Sequence, residues 1–292
     1  MPIRDLIKTS MKYPLSNKNK LLKFGLIVTI LSIFTTTINY LVLTTIYHVN
    51  YEELAVSTNV TSINEVSNLI FTQIPTNTWI IITILAIISI IISFYTAGYN
   101  QNVINKALNK ENNLPNFNNV ISKLINGLKI YIVYIIYTII PTILIITGLL
   151  FSKQTSSILL IIGVILMIYA LLLYIIAVAH MTKNNNKLSY AFKLKEINSI
   201  IKDISWLRYI GAIVIIGIIF LIITLTATLI ISLIGSGLAV ITHKMIIALI
   251  VNIILTGLFI ESYLEIFVAY SIGLLYNEKI SNIYDVDEEY LI

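Results

Sequence analysis

The sequence predicts an all-α fold: a polytopic integral membrane protein of about six transmembrane helices, with basic amphipathic helices lying in the membrane interface. Three observations predict it. Of the 292 residues, 58% are hydrophobic and only 11% charged, against roughly 25% charged in an ordinary soluble domain. The apolar residues gather in six runs, each long enough to carry a helix across about 30 Å of hydrocarbon. Finally, 17 of the 19 Lys and Arg fall on alternate connecting segments, the bias that marks the cytoplasmic side of a membrane protein.

The chain opens with a basic segment, residues 1–23, carrying Arg4, Lys8, Lys12, Lys18, Lys20 and Lys23. The first apolar run, Phe24–Tyr47, is about twice the 7–15 residues of a secretory h-region and lacks a small-x-small cleavage site after it. It reads as a transmembrane helix. The loop at 48–77 has no Lys or Arg but holds Glu52, Glu53 and Glu65, as an exported loop should. The remaining spans are Thr78–Tyr99, Leu128–Phe151, Ser156–Ala179, Tyr209–Ile234 and Met245–Phe267.

Lys106, Lys110, Lys123 and Lys129 mark 100–129, and Lys183, Lys187, Lys193, Lys195, Lys202 and Arg208 mark 180–208, as cytoplasmic. The hairpins at 152–155 and 235–244 carry one Lys each. Both termini are therefore expected in the cytoplasm, in a protein of the cell membrane. The organisation is a basic segment (1–23), a six-span membrane domain (24–272) and an acidic tail (273–292) ending in Asp285, Asp287, Glu288 and Glu289. The tail is expected to be solvated and flexible.

Within the basic segments apolar residues recur at helical spacing: Val103, Ile104, Ala107 and Leu108; Val120, Ile121, Leu124, Ile125 and Leu128; Leu194, Ile197, Ile201 and Ile204. Such stretches are expected in the interface, apolar face toward the acyl chains and Lys toward headgroups. The second and third segments also align locally, Ala107-Leu108 with Ala191-Phe192 and Gly127 with Gly211, which suggests an internal repeat.

Reaction centres are scarce. Cysteine is absent, which excludes disulfides, thiolate metal sites and cysteine nucleophiles. No HExxH, P-loop or GxSxG occurs, and the three histidines form no constellation. An enzyme, a cofactor and a metal site are not expected. Neither is a nucleic-acid partner, because the basic residues flank membrane spans instead of covering one globular face.

Glu261 and Glu265 are the carboxylates placed within a span, four residues apart and so on one helical face. Counted from Met245 at 1.5 Å per residue, they lie about 24 Å and about 30 Å in, level with the cytoplasmic headgroups, where Lys from the basic loops could pair with them. Pro141 interrupts the third span and frees the carbonyl of Tyr137. Tyr131, Tyr134 and Tyr137 follow at three-residue intervals. Packing explains these residues most simply; a polar path through Tyr137, Pro141, Glu261 and Glu265 is the alternative. Asn59-Val60-Thr61 fits the glycosylation pattern, giving Asn59 a weak claim as an acceptor.

The stretch Gly98-Tyr99, Val103-Ile104, Ala107-Leu108, Lys110-Glu111, Leu114-Pro115, Phe117 and Asn126-Gly127-Leu128-Lys129 resembles the characteristic segment of an archaeal membrane family, domain of unknown function 4013. Asn112 follows Glu111, and Asn126 stands where the family pattern has Asp. The resemblance implies a multi-span membrane protein without an assigned activity. The expected role is a non-enzymatic membrane component engaging anionic membrane lipid or a protein partner through Lys106, Lys110, Lys193 and Lys195. The alternative is a small-solute or ion transporter.

Overall fold

The computed structural model describes residues 1–48, 75–150 and 154–289. Among these the chain is helical throughout, without strands. We number its α-helices α1 (Ile3–Lys12), α2 (Lys18–His48), α3 (Thr76–Leu108), α4 (Val120–Leu150), α5 (Gln154–Lys183), α6 (Leu194–Ile204), α7 (Trp206–Thr242), α8 (Met245–Leu255) and α9 (Ser262–Glu289). A π-helical turn, Thr256–Glu261, joins α8 to α9. Six helical segments are long and apolar enough to cross a membrane: α2, α3, α4, α5, α7 and the α8–α9 unit. The six-span reading holds. The Asn59 sequon lies outside the described residues.

Most helices run past the expected spans at the lysine-rich end. α3 continues to Leu108, and α4 begins at Val120 instead of Leu128. Val103, Ile104, Ala107 and Leu108 are therefore the last turns of a span. All four are buried within the protein. The short helix α6 does form, but Ile197, Ile200, Ile201 and Ile204 point into the bundle and are also buried. α1 buries Leu6 and Ser10 in the same way. The expectation that these stripes lie on lipid is thus corrected for the end of α3 and for Ile197, Ile201 and Ile204 of α6, whereas Leu194 is exposed. The helices that flank them offer nearer apolar surface than the bilayer does. Ile121 and Val120 on α4 remain exposed.

Where helices end, asparagine fills backbone conformations that glycine usually takes. α3 closes with Lys110 at φ 56°, the Lys110 amide on Ala107 O and the Glu111 amide on Lys106 O at 2.9 Å, a Schellman end. α5 closes alike, with Asn185 and Asn186 at positive φ and the Asn186 amide on Met181 O. Asn119 precedes α4 at φ 58°. Asn tolerates this region because its short side chain bonds locally. Part of the asparagine richness therefore has a structural use.

Helices α3 and α4 cross on a reciprocal pair of glycines. A Cβ on Gly127 would stand 2.6 Å from the carbonyl carbon of Phe94, and one on Gly98 would stand 2.6 Å from that of Lys123. Small residues let backbones meet where lipid supplies no hydrophobic drive between helices. Gly211 has nothing within 4 Å of its Cβ position, and Ala107-Leu108 sits in a long helix whereas Ala191-Phe192 sits in a 3-10 turn. The suggested repeat is not visible in the structure.

The boundary of the acidic tail is corrected as well. Gly273 lies within α9, against Ala107 and Ile104 of α3. α9 continues to Glu289, and Leu275, Tyr276 and Glu278 are buried. The boundary drawn at 272 falls inside a packed helix.

Candidate functional site

The basic segments and the N-terminus converge on one end of the bundle, around the connection between α3 and α4. Its carbonyls are bonded by side chains from several helices. Asn277 donates to Ala107 O and Leu108 O, both at 3.0 Å. Tyr270 donates toward Glu111 O and Asn112 Oδ1, at 3.3 Å. Tyr13 reaches Asn113 O at 3.0 Å, and Lys20 reaches Leu114 O at 2.7 Å. Tyr99 donates to Pro115 O and Tyr95 to Phe117 O, each at 3.3 Å, while Lys123 bonds Asn118 O. Carbonyls beyond a helix end need partners when buried, and here α2, α3, α4, α9 and the 3-10 turn after α1 supply them. Tyr13 stacks on Tyr270 at 3.6 Å, and Tyr99 lies between Phe24 and Phe117 at 4.5 and 5.0 Å. Burial pushes the Tyr13 hydroxyl well above its ordinary range, so it remains a neutral donor.

The four lysines singled out from the sequence divide. Lys106 is paired with Glu111, and Lys193 with Glu196 at 2.8 Å. Lys110 and Lys195 are exposed and have no ion pair among the described residues. The pair at 193 and 196 is electrostatically tuned. The Glu196 hydrogen bond holds the Lys193 ammonium above its ordinary range. Glu196 is held below its own, first by Lys193 and then by His180.

Two clusters escaped the sequence reading. Lys8 and Lys12, one turn apart on α1, join Thr9, Tyr13, Ser16 and Asn112 around a surface pocket of about 300 Å³. Because Asn112 Oδ1 faces the Tyr270 hydroxyl, its amide nitrogen is left to donate elsewhere. The spacing of Lys8 and Lys12 was legible; the arrival of Asn112 from a loop a hundred residues on was not. The second cluster is His180, whose Nδ1 meets Tyr276 Oη at 2.8 Å and whose Nε2 meets Glu196 at 3.0 Å. This chain of contacts ties α5, α6 and α9 together. Its members are spread from residue 180 to 276, so no local motif announces it. Arg208 similarly anchors the start of α7 to Glu278 at 3.1 Å and to the Met1 carbonyl.

The residues of the alternative polar path are not brought together. Tyr137 donates to Ala191 O at 2.7 Å and shares with Pro141 a groove beside Phe192 and Leu194. Glu265 faces a different cavity, of about 320 Å³, between α3, α4, α5, α7 and α9. Glu261 and Glu265 also diverge. The π-helical turn, packed where Gly257 meets Thr29 of α2, shifts the facing of the side chains around it. Glu261 accepts from Ser32 of α2 at 2.8 Å, and Glu265 accepts from Asn100 of α3 at 2.8 Å. Neither makes an ion pair with a lysine among the described residues. Those residues also hold no group of three His, Asp or Glu suited to a metal ion.

Six crossing helices and a tightly bonded polar cap at one end define a multi-pass membrane protein. The family model described as protein of unknown function (DUF4013) matches residues 81–232. The match spans more than half of the chain, which belongs to that family. No curated protein and no solved structure matches it. The residues expected to carry the family resemblance are the ones that build the cap: the Gly98–Gly127 crossing, buried Tyr99, and Leu114-Pro115.

Proposed function

We propose that the protein is a non-enzymatic membrane component whose lysine-rich end, with both termini, faces the cytoplasm and holds the headgroup of an anionic lipid of the cell membrane. The Lys8–Lys12 pocket carries this reading. It offers two ammonium groups without an ion pair among the described residues, together with the Thr9 and Ser16 hydroxyls and the Asn112 amide. That donor set suits a phosphate. Lys110 and Lys195 extend the positive field, while Lys106 and Lys193 are offset by their partners. At the end of α3 and on α6 the amphipathic segments act through charge on a rigid cap, because most of their apolar faces are spent inside the chain.

Each Lys near an anionic surface contributes about 1 kcal/mol. Replacing Lys8 and Lys12 together by Ala should therefore weaken retention of phosphatidylglycerol about 30-fold. Titration of the purified full chain with short-chain phosphatidylglycerol or phosphatidylcholine, followed by native mass spectrometry, tests this. Equal retention of the two lipids, or unchanged retention by the double variant, would refute it. A protein partner as the occupant would show as lipid-indifferent binding.

A further inference from the structure

Glu265 faces a cavity of about 320 Å³ at the meeting of five helices. The wall is mostly apolar, with Ile104, Ile175 and Val268 on it and Phe220 at the rim, 42% exposed. Glu265 is its one acidic or basic residue. A carboxylate buried inside a helix bundle is normally paired with a cation. Glu265 is not: its polar partner is the Asn100 amide at 2.8 Å, and no Lys, Arg or His forms an ion pair with it among the described residues.

The surrounding polar groups deepen the imbalance. Asn100 Oδ1 and Gln101 Oε1 are buried and have no donor among the described residues. Their orientations are set from the other side. Turning the Asn100 amide would set its oxygen against the Glu265 carboxylate, and Gln101 already spends its nitrogen on Asn186 Oδ1 at 2.8 Å. The wall thus holds one carboxylate and one phenol, Tyr174, with two unfilled amide acceptors buried beside them. A bare metal ion would need about six oxygens around it, which this wall lacks. An ammonium with an apolar body matches both features, its N–H donors meeting the carboxylate and its carbon frame meeting the isoleucines.

We propose that this cavity is a binding site for a lipophilic primary amine, with Glu265 as its counter-ion. The site is independent of the headgroup pocket on α1, so either can fail without the other.

The test uses benzylammonium as probe and benzyl alcohol as its neutral counterpart, each titrated into the purified full chain in a non-ionic detergent by isothermal calorimetry. Benzylammonium should bind saturably. Glu265→Gln, which keeps the shape and the bond from Asn100, should weaken it at least tenfold. Glu261→Gln, whose side chain turns to Ser32, should leave the affinity within twofold. Tight binding of benzyl alcohol, retained affinity in Glu265→Gln, or no saturable binding of benzylammonium to the wild-type chain would each overturn the proposal. The wild-type comparison of the two probes decides the matter even where a variant fails to fold.

Discussion

Replacing Gly127 by alanine puts the α3–α4 crossing to a direct test. The added Cβ would meet the carbonyl carbon of Phe94 at 2.6 Å and its Cα at 2.9 Å. Carbons rest at about 3.5–4.0 Å, and the Phe94 carbonyl oxygen lies nearer still, so the helices must part by more than about 1 Å at their closest point. Backbone atoms on both sides leave no flexible side chain to yield. Overpacking of this kind costs typically about 1–3 kcal/mol, against about 1 kcal/mol recovered from the better helix propensity of alanine. With backbone on both sides the cost falls at the upper end of that range, so the expected net loss is about 2 kcal/mol. Gly98→Ala meets Lys123 in the same way and should lose a similar amount. The double variant should lose less than the sum, because the first separation makes room for the second. Gly211→Ala, with nothing within 4 Å, should instead be neutral or gain up to about 1 kcal/mol. Thermal unfolding of the purified chain in one detergent, read by intrinsic fluorescence, ranks the four proteins. A Gly127→Ala variant as stable as wild type, or a Gly211→Ala variant equally destabilised, would show that the helices do not cross on these glycines.

Two further perturbations probe the cap. Arg208→Ala leaves the buried carboxylate of Glu278 without its guanidinium, a loss of about 1–3 kcal/mol for a pair whose Arg side stays half-exposed, and Arg208→Lys should recover only part because one ammonium cannot reproduce the fork; both are read as shifts in the unfolding midpoint. Glu196 is held below the usual carboxylate range by Lys193 and His180. Its stabilising effect is therefore present above that range and lost as pH falls through the lowered value, so the protection of amides across Leu194–Ile204, referred to their intrinsic exchange rates at each pH, should fall in acid. Glu196→Gln should remove the pH dependence, and added salt should blunt it.

Length and hydropathy made the six spans legible, because a helix in lipid must satisfy its own backbone and needs about twenty apolar residues to do so. The same signals misplaced the basic stripes. A periodic apolar face such as Ile197, Ile200, Ile201 and Ile204 states that something apolar will cover it, without stating whether that is acyl chain or protein. Covering came from neighbours within the chain. Glu261 and Glu265 failed for a different reason. Four residues on a regular helix share a face, but the π-helical turn ending at Glu261 breaks that count, and nothing in Thr256–Glu261 signals the extra residue per turn. The cap was invisible as a site because its donors, from Tyr13 to Asn277, come together only in three dimensions.

What family membership conveys follows from where the matched residues fall. The match covers 81–232, which takes in the glycine crossing, the α3–α4 connection and the His180–Glu196 contact. Lys8, Lys12 and Glu265 all lie outside it. Of the polar groups that form the two proposed sites, the matched stretch supplies Asn112 to one, and Asn100, Gln101 and Tyr174 to the other, together with most of that cavity's apolar wall. These groups are neutral; they orient a ligand but do not choose the sign of its charge. The charge comes from α1 for the headgroup pocket and from α9 for the amine cavity. A chain that exchanged only Lys8, Lys12 and Glu265 would preserve the cap and lose both sites. The scaffold and the chemistry are therefore separable here, and substitutions at Lys8, Lys12 and Glu265 can be made without touching the glycine crossing that holds α3 against α4.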